Sequence, residues 1–179
     1  MGARNNYKQL GLDLEKYGKY VVQQSKSNLT KDKKGGGDLY NSISYDLNKF
    51  NKTNTPYVLD FLMENYGPFV DKGVAGVNST YPETRAALSP FKYGTGTGKK
   101  GGLTEGIQAW LEKKKFRWRD ELGRYISYKS MRYLIVQKIY FQGIKASLFF
   151  TKPFEAGLNK YAKDIIKGYE KDLEKDFNK

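Results

Sequence analysis

The residues best placed to do chemistry lie in FKYGTGTGKKGG, Phe91 to Gly102. Gly94, Thr95, Gly96, Thr97, Gly98, Lys99, Lys100, Gly101 and Gly102 offer backbone N–H groups, two hydroxyls and two ammonium groups, the materials of a phosphate cradle. The spacing argues against that use. A Walker A loop, G-x-x-x-x-G-K-[ST], read back from Gly98 and Lys99, needs glycine where Tyr93 stands and a hydroxyl where Lys100 stands. Gly96, Gly98 and Gly101 satisfy G-x-G-x-x-G, but that pattern needs a buried strand before it and a helix opening at its end. LSPFKY is a poor buried strand, and the helix is expected only after Gly102. A surface loop is the first reading of this stretch and a nucleotide-binding enzyme the last.

Other chemistries narrow in the same way. The chain has neither cysteine nor histidine, so disulfides, thiolate zinc sites, cysteine nucleophiles and serine–histidine pairs are excluded. Carboxylate acid–base and Mg²⁺-assisted chemistry need only Asp or Glu, and Asp60 and Glu64 fall on one side of an expected strand. No third acid has matching spacing, so a solvated sheet face accounts for them, and neither enzyme activity, metal nor cofactor is expected.

The second candidate is KKKFRWRDELGRY, in which Lys113, Lys114, Lys115, Arg117, Arg119 and Arg124 surround Trp118. These residues suit a nucleic-acid backbone with a ring for stacking, which makes a basic nucleic-acid-binding module an alternative. A solvated helix end followed by a hairpin is favoured over it, because no recognised nucleic-acid module accompanies the cluster. The net charge of +13 selects for anionic partners of any kind. Fifteen tyrosines supply broad amphipathic contact area, a composition suited to protein interfaces.

The elements that must carry these groups follow from periodicity. A length of 179 residues fits one domain with an insertion. Leu10, Leu14, Tyr17 and Val21 predict a helix over 6–29, ended by the glycines of KDKKGGG. Ile43, Tyr45 and Leu47, then Tyr57, Leu59, Phe61 and Met63, alternate as two strands of an antiparallel pair, with turn residues at 51–56. From Val70 to Gly102 no period persists, which marks a functional loop. Thr104 is expected to cap a short helix with Ile107, Trp110 and Leu111 inward, and FRWRDELGRYIS to form a small hairpin. A helix over 128–142 carries Met131, Leu134, Ile135 and Ile139 and stops at Gly143. IKASLFF pairs as a strand or runs extended. Finally Thr151 is expected to cap, and Pro153 to open, a long helix striped by Phe154, Leu158, Tyr161, Ile165, Tyr169, Leu173 and Phe177. No apolar run approaches the roughly 20 residues that span a bilayer, and MGARNNYKQLG has no apolar core, so neither membrane nor secretory signal is expected.

The order of these pieces carries a resemblance. GDLYNSI after a glycine linker, YGPFVDKG closing an extended segment, a glycine-rich loop, and FFTKPFEAGL before the last helix together resemble the neck and tail-completion proteins of tailed bacteriophages, the head-to-tail joining proteins related to gene product ten of lambda-like siphophages. The resemblance covers 10–177. It implies an α+β subunit, an antiparallel sheet packed by an N-terminal helix and a long C-terminal amphipathic helix, in one neck-protein-like domain over 1–179 with a loop-rich and helical insertion at about 71–142. It implies a structural protein of the virion neck, assembled in the host cytoplasm as a homo-oligomeric ring flanked by portal, adaptor or tail proteins. Two departures from the family stand out: FVDKGVAG runs on into an insertion before GTGTG, and 103–142 is a helical elaboration. In such a ring Gly94–Gly102 is expected to be an arm ordered by a neighbouring chain. The basic residues 113–124 are expected to meet acidic neighbouring proteins first and packaged DNA second.

Overall fold

A computed structural model describes residues 7–48, 57–78, 89–95, 101–115 and 117–178. The chain is α+β, and its contacts divide it into two compact units. Met1–Gly67 and Leu148–Lys179 form the first; Pro68–Ser147, lying between them in sequence, forms the second.

In the first unit α1 (Lys8–Lys31) turns Leu10, Tyr17, Val21 and Leu29 inward. It runs two residues beyond the expected end, because the chain leaves the helix only at Lys33, with φ 58, and Gly36, with φ 77. DLYNS is not the start of a strand: Asp38–Ser42 forms a short helix, α2, which buries Leu39, and Ile43 is buried just after it. β1 (Ser44–Asn48) and β2 (Val58–Leu62) then pair antiparallel, Tyr45 against Phe61 and Leu47 against Leu59. The turn residues expected at 51–56 lie outside the described residues.

This hairpin lies on α1 because α1 presents small residues one heptad apart, at Gly11, Gly18 and Ser25. A Cβ on Gly11 would stand 2.7 Å from the Tyr57 hydroxyl, and one on Gly18 would stand 2.8 Å from the Tyr45 ring. The bare backbone lets both rings approach.

α6 (Thr151–Phe177) runs antiparallel to α1, with Asp172 beside Leu10 and Phe149, just before α6, beside Asn28. Thr151 is not the cap residue: it is the first helical residue and Phe150 holds the cap position, while Pro153 sits in the first turn as expected. Between the two helices and the hairpin the rings interlock: Tyr17 lies 6.0 Å from both Phe61 and Phe154, and Phe61 lies 5.4 Å from Phe150. At the other end the Asp172 carboxylate accepts the Leu10 N–H at 2.9 Å. α6 thereby satisfies a donor in the first turn of α1, which has no side-chain cap of its own.

The second unit contains α3 (Gly67–Lys72), β3 (Val74–Ala75), α4 (Gly102–Lys114), α5 (Tyr128–Gln142) and β4 (Gly143–Ile144). The expected loop from Val70 is thus partly structured: β3 pairs with β4, and Ala75 also exchanges backbone bonds with Phe91 and Tyr93. α4 begins two residues before Thr104, at a left-handed Gly101 with φ 82 and no side-chain cap. α5 matches its expected bounds, with the Ser127 hydroxyl accepting the Ser130 N–H and Gly143 closing it at φ 88. α4 and α5 meet through buried Leu111 and Met131 and a 3.0 Å bond from the Arg132 guanidinium to Gln108 Oε1.

Candidate functional site

The long helix α6 is apolar on more of its circumference than one neighbour requires. Phe154, Tyr161 and Ile165 are half-buried, and Gly157 and Gly168 are buried beside them; a Cβ on Gly157 would stand 2.8 Å from the Tyr17 ring. The expected stripe splits at this point. Leu158 and Phe177 are exposed, 47% and 87%, and Ile166, 57% exposed, joins them. With Ala162, Tyr169 and Leu173 they recur every three or four residues as a second, outward stripe. The signal for it was present in the sequence: Ile165 and Ile166 are adjacent and must point about 100° apart, so they cannot share one narrow seam.

α6 also stands apart in charge. It carries six lysines and six carboxylates in a chain of net charge +13. A copy of this protein would therefore meet no net repulsion along this helix.

The second unit, by contrast, holds fifteen of the 32 Lys and Arg and only six of the 19 Asp and Glu. Lys113, Lys114, Lys115, Arg117, Arg119 and Arg124 are all exposed, as the sequence implied. The structure adds a hairpin that groups Arg117, Arg119 and Arg124, with the three lysines at the end of α4. Arg119 pairs with Tyr125 across an antiparallel bridge, and the Ile126 N–H donates to the Trp118 carbonyl at 2.9 Å. Asp120 builds the turn: its carboxylate accepts the Leu122 and Arg124 N–H groups at 3.0 and 2.8 Å and the Arg124 guanidinium at 2.9 Å. The Arg124 N–H first of all, aided by its guanidinium and the Leu122 N–H, holds the Asp120 carboxyl below its ordinary range against the opposing effect of burial.

On one face of this hairpin the Arg119 guanidinium lies 4.5 Å, and that of Arg117 6.0 Å, from the centre of the Tyr125 ring. Tyr125 is 61%, Trp118 46% and the tip residue Leu122 77% exposed.

Gly94, Thr95, Gly101 and Gly102 line an open groove of about 990 Å³. Its walls include Phe69, Phe91, Tyr93, Leu103 and Tyr140. Burial raises the Tyr93 phenol, so that group stays a neutral hydroxyl through the physiological range. Gly96, Thr97, Gly98, Lys99 and Lys100 lie outside the described residues. The loop and the basic cluster are therefore placed in one unit, each on its own feature. Asp60 does not share a strand with Glu64, which follows the end of β2; it stands opposite Asp46 in the sheet register. Leu134, expected inward on α5, is exposed, and so is Trp110 on α4.

No family model, curated protein or solved structure matches the chain. Among the described residues no helix is long and apolar enough to cross a membrane.

Proposed function

We propose that this protein is a non-enzymatic structural subunit of a phage head-to-tail connector, assembling as a homo-oligomeric ring in the virion neck between portal or adaptor and tail proteins. The observation that carries this reading is the outward stripe of α6. Leu158, Ile166 and Phe177 leave apolar area in water that a stable monomer would cover, and the balanced charge of the helix admits a second copy there. The order of GDLYNSI, YGPFVDKG, the glycine loop and FFTKPFEAGL supplies the kind of ring. The exposed rings of the second unit, among them Trp110, Tyr133 and Tyr140, give further contact area for flanking proteins.

Native mass measurement on the purified chain, alone and with neighbouring virion components, tests the reading. A closed oligomer is expected, and Leu158→Glu with Ile166→Glu is expected to reduce it to monomer with an unchanged helical spectrum. A wild-type chain that stays monomeric in both conditions would overturn the ring, and nucleotide hydrolysis lost in Lys99→Ala would overturn the non-enzymatic reading.

A further inference from the structure

The hairpin after α4 has features that a solvated helix end does not need. The end of α4 and the hairpin together carry cations at 113, 114, 115, 117, 119 and 124, six against the three carboxylates of Glu112, Asp120 and Glu121. Asp120 is committed to the turn and to Arg124, and Glu112 accepts a hydrogen bond from Gln108. Arg117 and Arg119 lie two residues apart in the arm leading to the turn, and both guanidinium groups stand over the Tyr125 ring, 6.0 and 4.5 Å from its centre. The Arg119 guanidinium also donates to the Tyr125 hydroxyl at 2.8 Å, so the ring fixes its position while its remaining N–H groups stay in solvent for oxygen ligands. Trp118, 46% exposed, stands between them in sequence.

We infer that 113–115 with 117–125 form a sequence-independent DNA-binding finger, in which Arg117, Arg119 and the lysines of 113–115 contact phosphates and the exposed rings pack on sugars or bases. Its chemistry favours a nucleic acid over an acidic protein. Six cations stand within the twelve residues 113–124, a charge density that suits a polyanion with regularly repeated charges more than the scattered carboxylates of an acidic protein face. Exposed rings among cations are the arrangement that holds nucleic acid without reading its sequence. The inference deepens the proposed function, and rests on it only in taking the DNA to be that of the head-to-tail joint. Binding itself is a property of the hairpin.

The test uses the full chain and a fluorescent 30-base-pair duplex of arbitrary sequence, titrated at several salt concentrations. Each phosphate contact contributes about 0.9 to the slope of log affinity against log salt. Lys114→Ala, Arg117→Ala and Arg119→Ala together are therefore expected to flatten the slope by about 2–3 and to weaken binding more than tenfold at about 0.1 M salt. Lys31→Ala, Lys33→Ala and Lys34→Ala remove the same charge from an equally dense exposed cluster in the first unit and are expected to leave the slope within about 1 of wild type. Arg117→Lys with Arg119→Lys keeps the charge, and is expected to retain the slope with weaker binding. Equal loss in the two triple variants, no loss in the finger variant, or polyglutamate or anionic vesicles bound through these residues as tightly as the duplex would each overturn the inference. Native mass separates the two readings. A monomer that binds DNA through the finger sinks the ring alone, and a ring whose DNA binding ignores the finger sinks this inference alone.

Discussion

The two units are held together by different means. In the first, side chains do most of the work: Leu10, Tyr17, Val21, Leu29, Leu39, Ile43 and Phe149 are buried, and rings from two helices and a hairpin interlock. In the second, the described buried apolar residues are Val74, Leu111, Met131 and Ala146, and much of the cohesion comes from backbone pairing. β3 and β4 share two residue pairs, Val77 and Asn78 donate to the carbonyls of Tyr140 and Phe141, and Ser147 reaches the Val70 carbonyl through both its N–H and its hydroxyl. A unit fastened by backbone around a thin core leaves its rings and charges outside, where partners can use them. The first unit is thus held by a packed side-chain core, and the second by backbone pairing around fewer buried side chains.

The largest effect that would expose this difference is expected at Phe149, which is wholly buried. Phe149→Ala should cost about 3–5 kcal/mol. Read by hydrogen exchange, the loss should fall on the amides of α1 and α6; a loss of less than about 1 kcal/mol would mean that the site collapses around the cavity and that Phe149 is not a main support of the first unit.

Next in size is Gly143. At φ 88 and ψ −170 its backbone occupies a region that only glycine enters freely, and a Cβ there would collide with the backbone of Val74, Ala75 and Gly76. Gly143→Ala should cost about 3 kcal/mol from backbone strain and overpacking together. The same exchange experiment should show α4, α5 and β3 opening while α1 and α6 keep their protection. Uniform loss across both sets would break the distinction between the units.

Much of the scaffold was legible from period alone. The bounds of α5, the α1 face and the antiparallel hairpin come from spacing of three and four, or two, and from glycines that stop them. What was not legible depends on partners distant in sequence. Thr104 and Thr151 have the right chemistry for caps, yet α4 follows directly on the left-handed Gly101, and one N–H in the first turn of α1 is satisfied by Asp172, 162 residues away from Leu10. The single stripe assigned to α6 was too simple, because periodicity identifies apolar positions without telling which of two faces the chain itself covers. The basic finger was readable as composition. Its stacking on Tyr125 required the hairpin register that sets residue 119 opposite residue 125.

The smallest expected effect concerns charge inside the scaffold. Asp13 is buried at the α1–α6 contact, where a Cβ on Gly168 would stand 2.6 Å from its Oδ2. Burial is the largest influence and acts to raise its carboxyl. The bonds from Lys16 at 2.9 Å and Gln9 at 3.0 Å, with the charges of Lys16 and Lys171, together outweigh burial and hold the folded value below the ordinary 3.8. Asp13 in turn raises Lys16 above its ordinary 10.5. The signs fix the window. A depressed carboxyl contributes stability that is fully present above the unfolded value and lost as pH falls through the lower folded one; a raised ammonium contributes stability lost as pH rises past its unfolded value toward the folded one. The pair is complete between these limits. Asp13→Asn should therefore cost about 1 kcal/mol at pH 7, a modest figure because Lys16 is exposed and screened. The gap to wild type, measured by urea unfolding, should shrink once the pH drops below about 3.8 and the wild-type carboxyl takes up its proton. A gap of equal size at pH 7 and pH 3 would show that Asp13 acts only by filling the space above Gly168, and that side-chain packing, without the Asp13–Lys16 ion pair within α1, explains the firmness of the first unit.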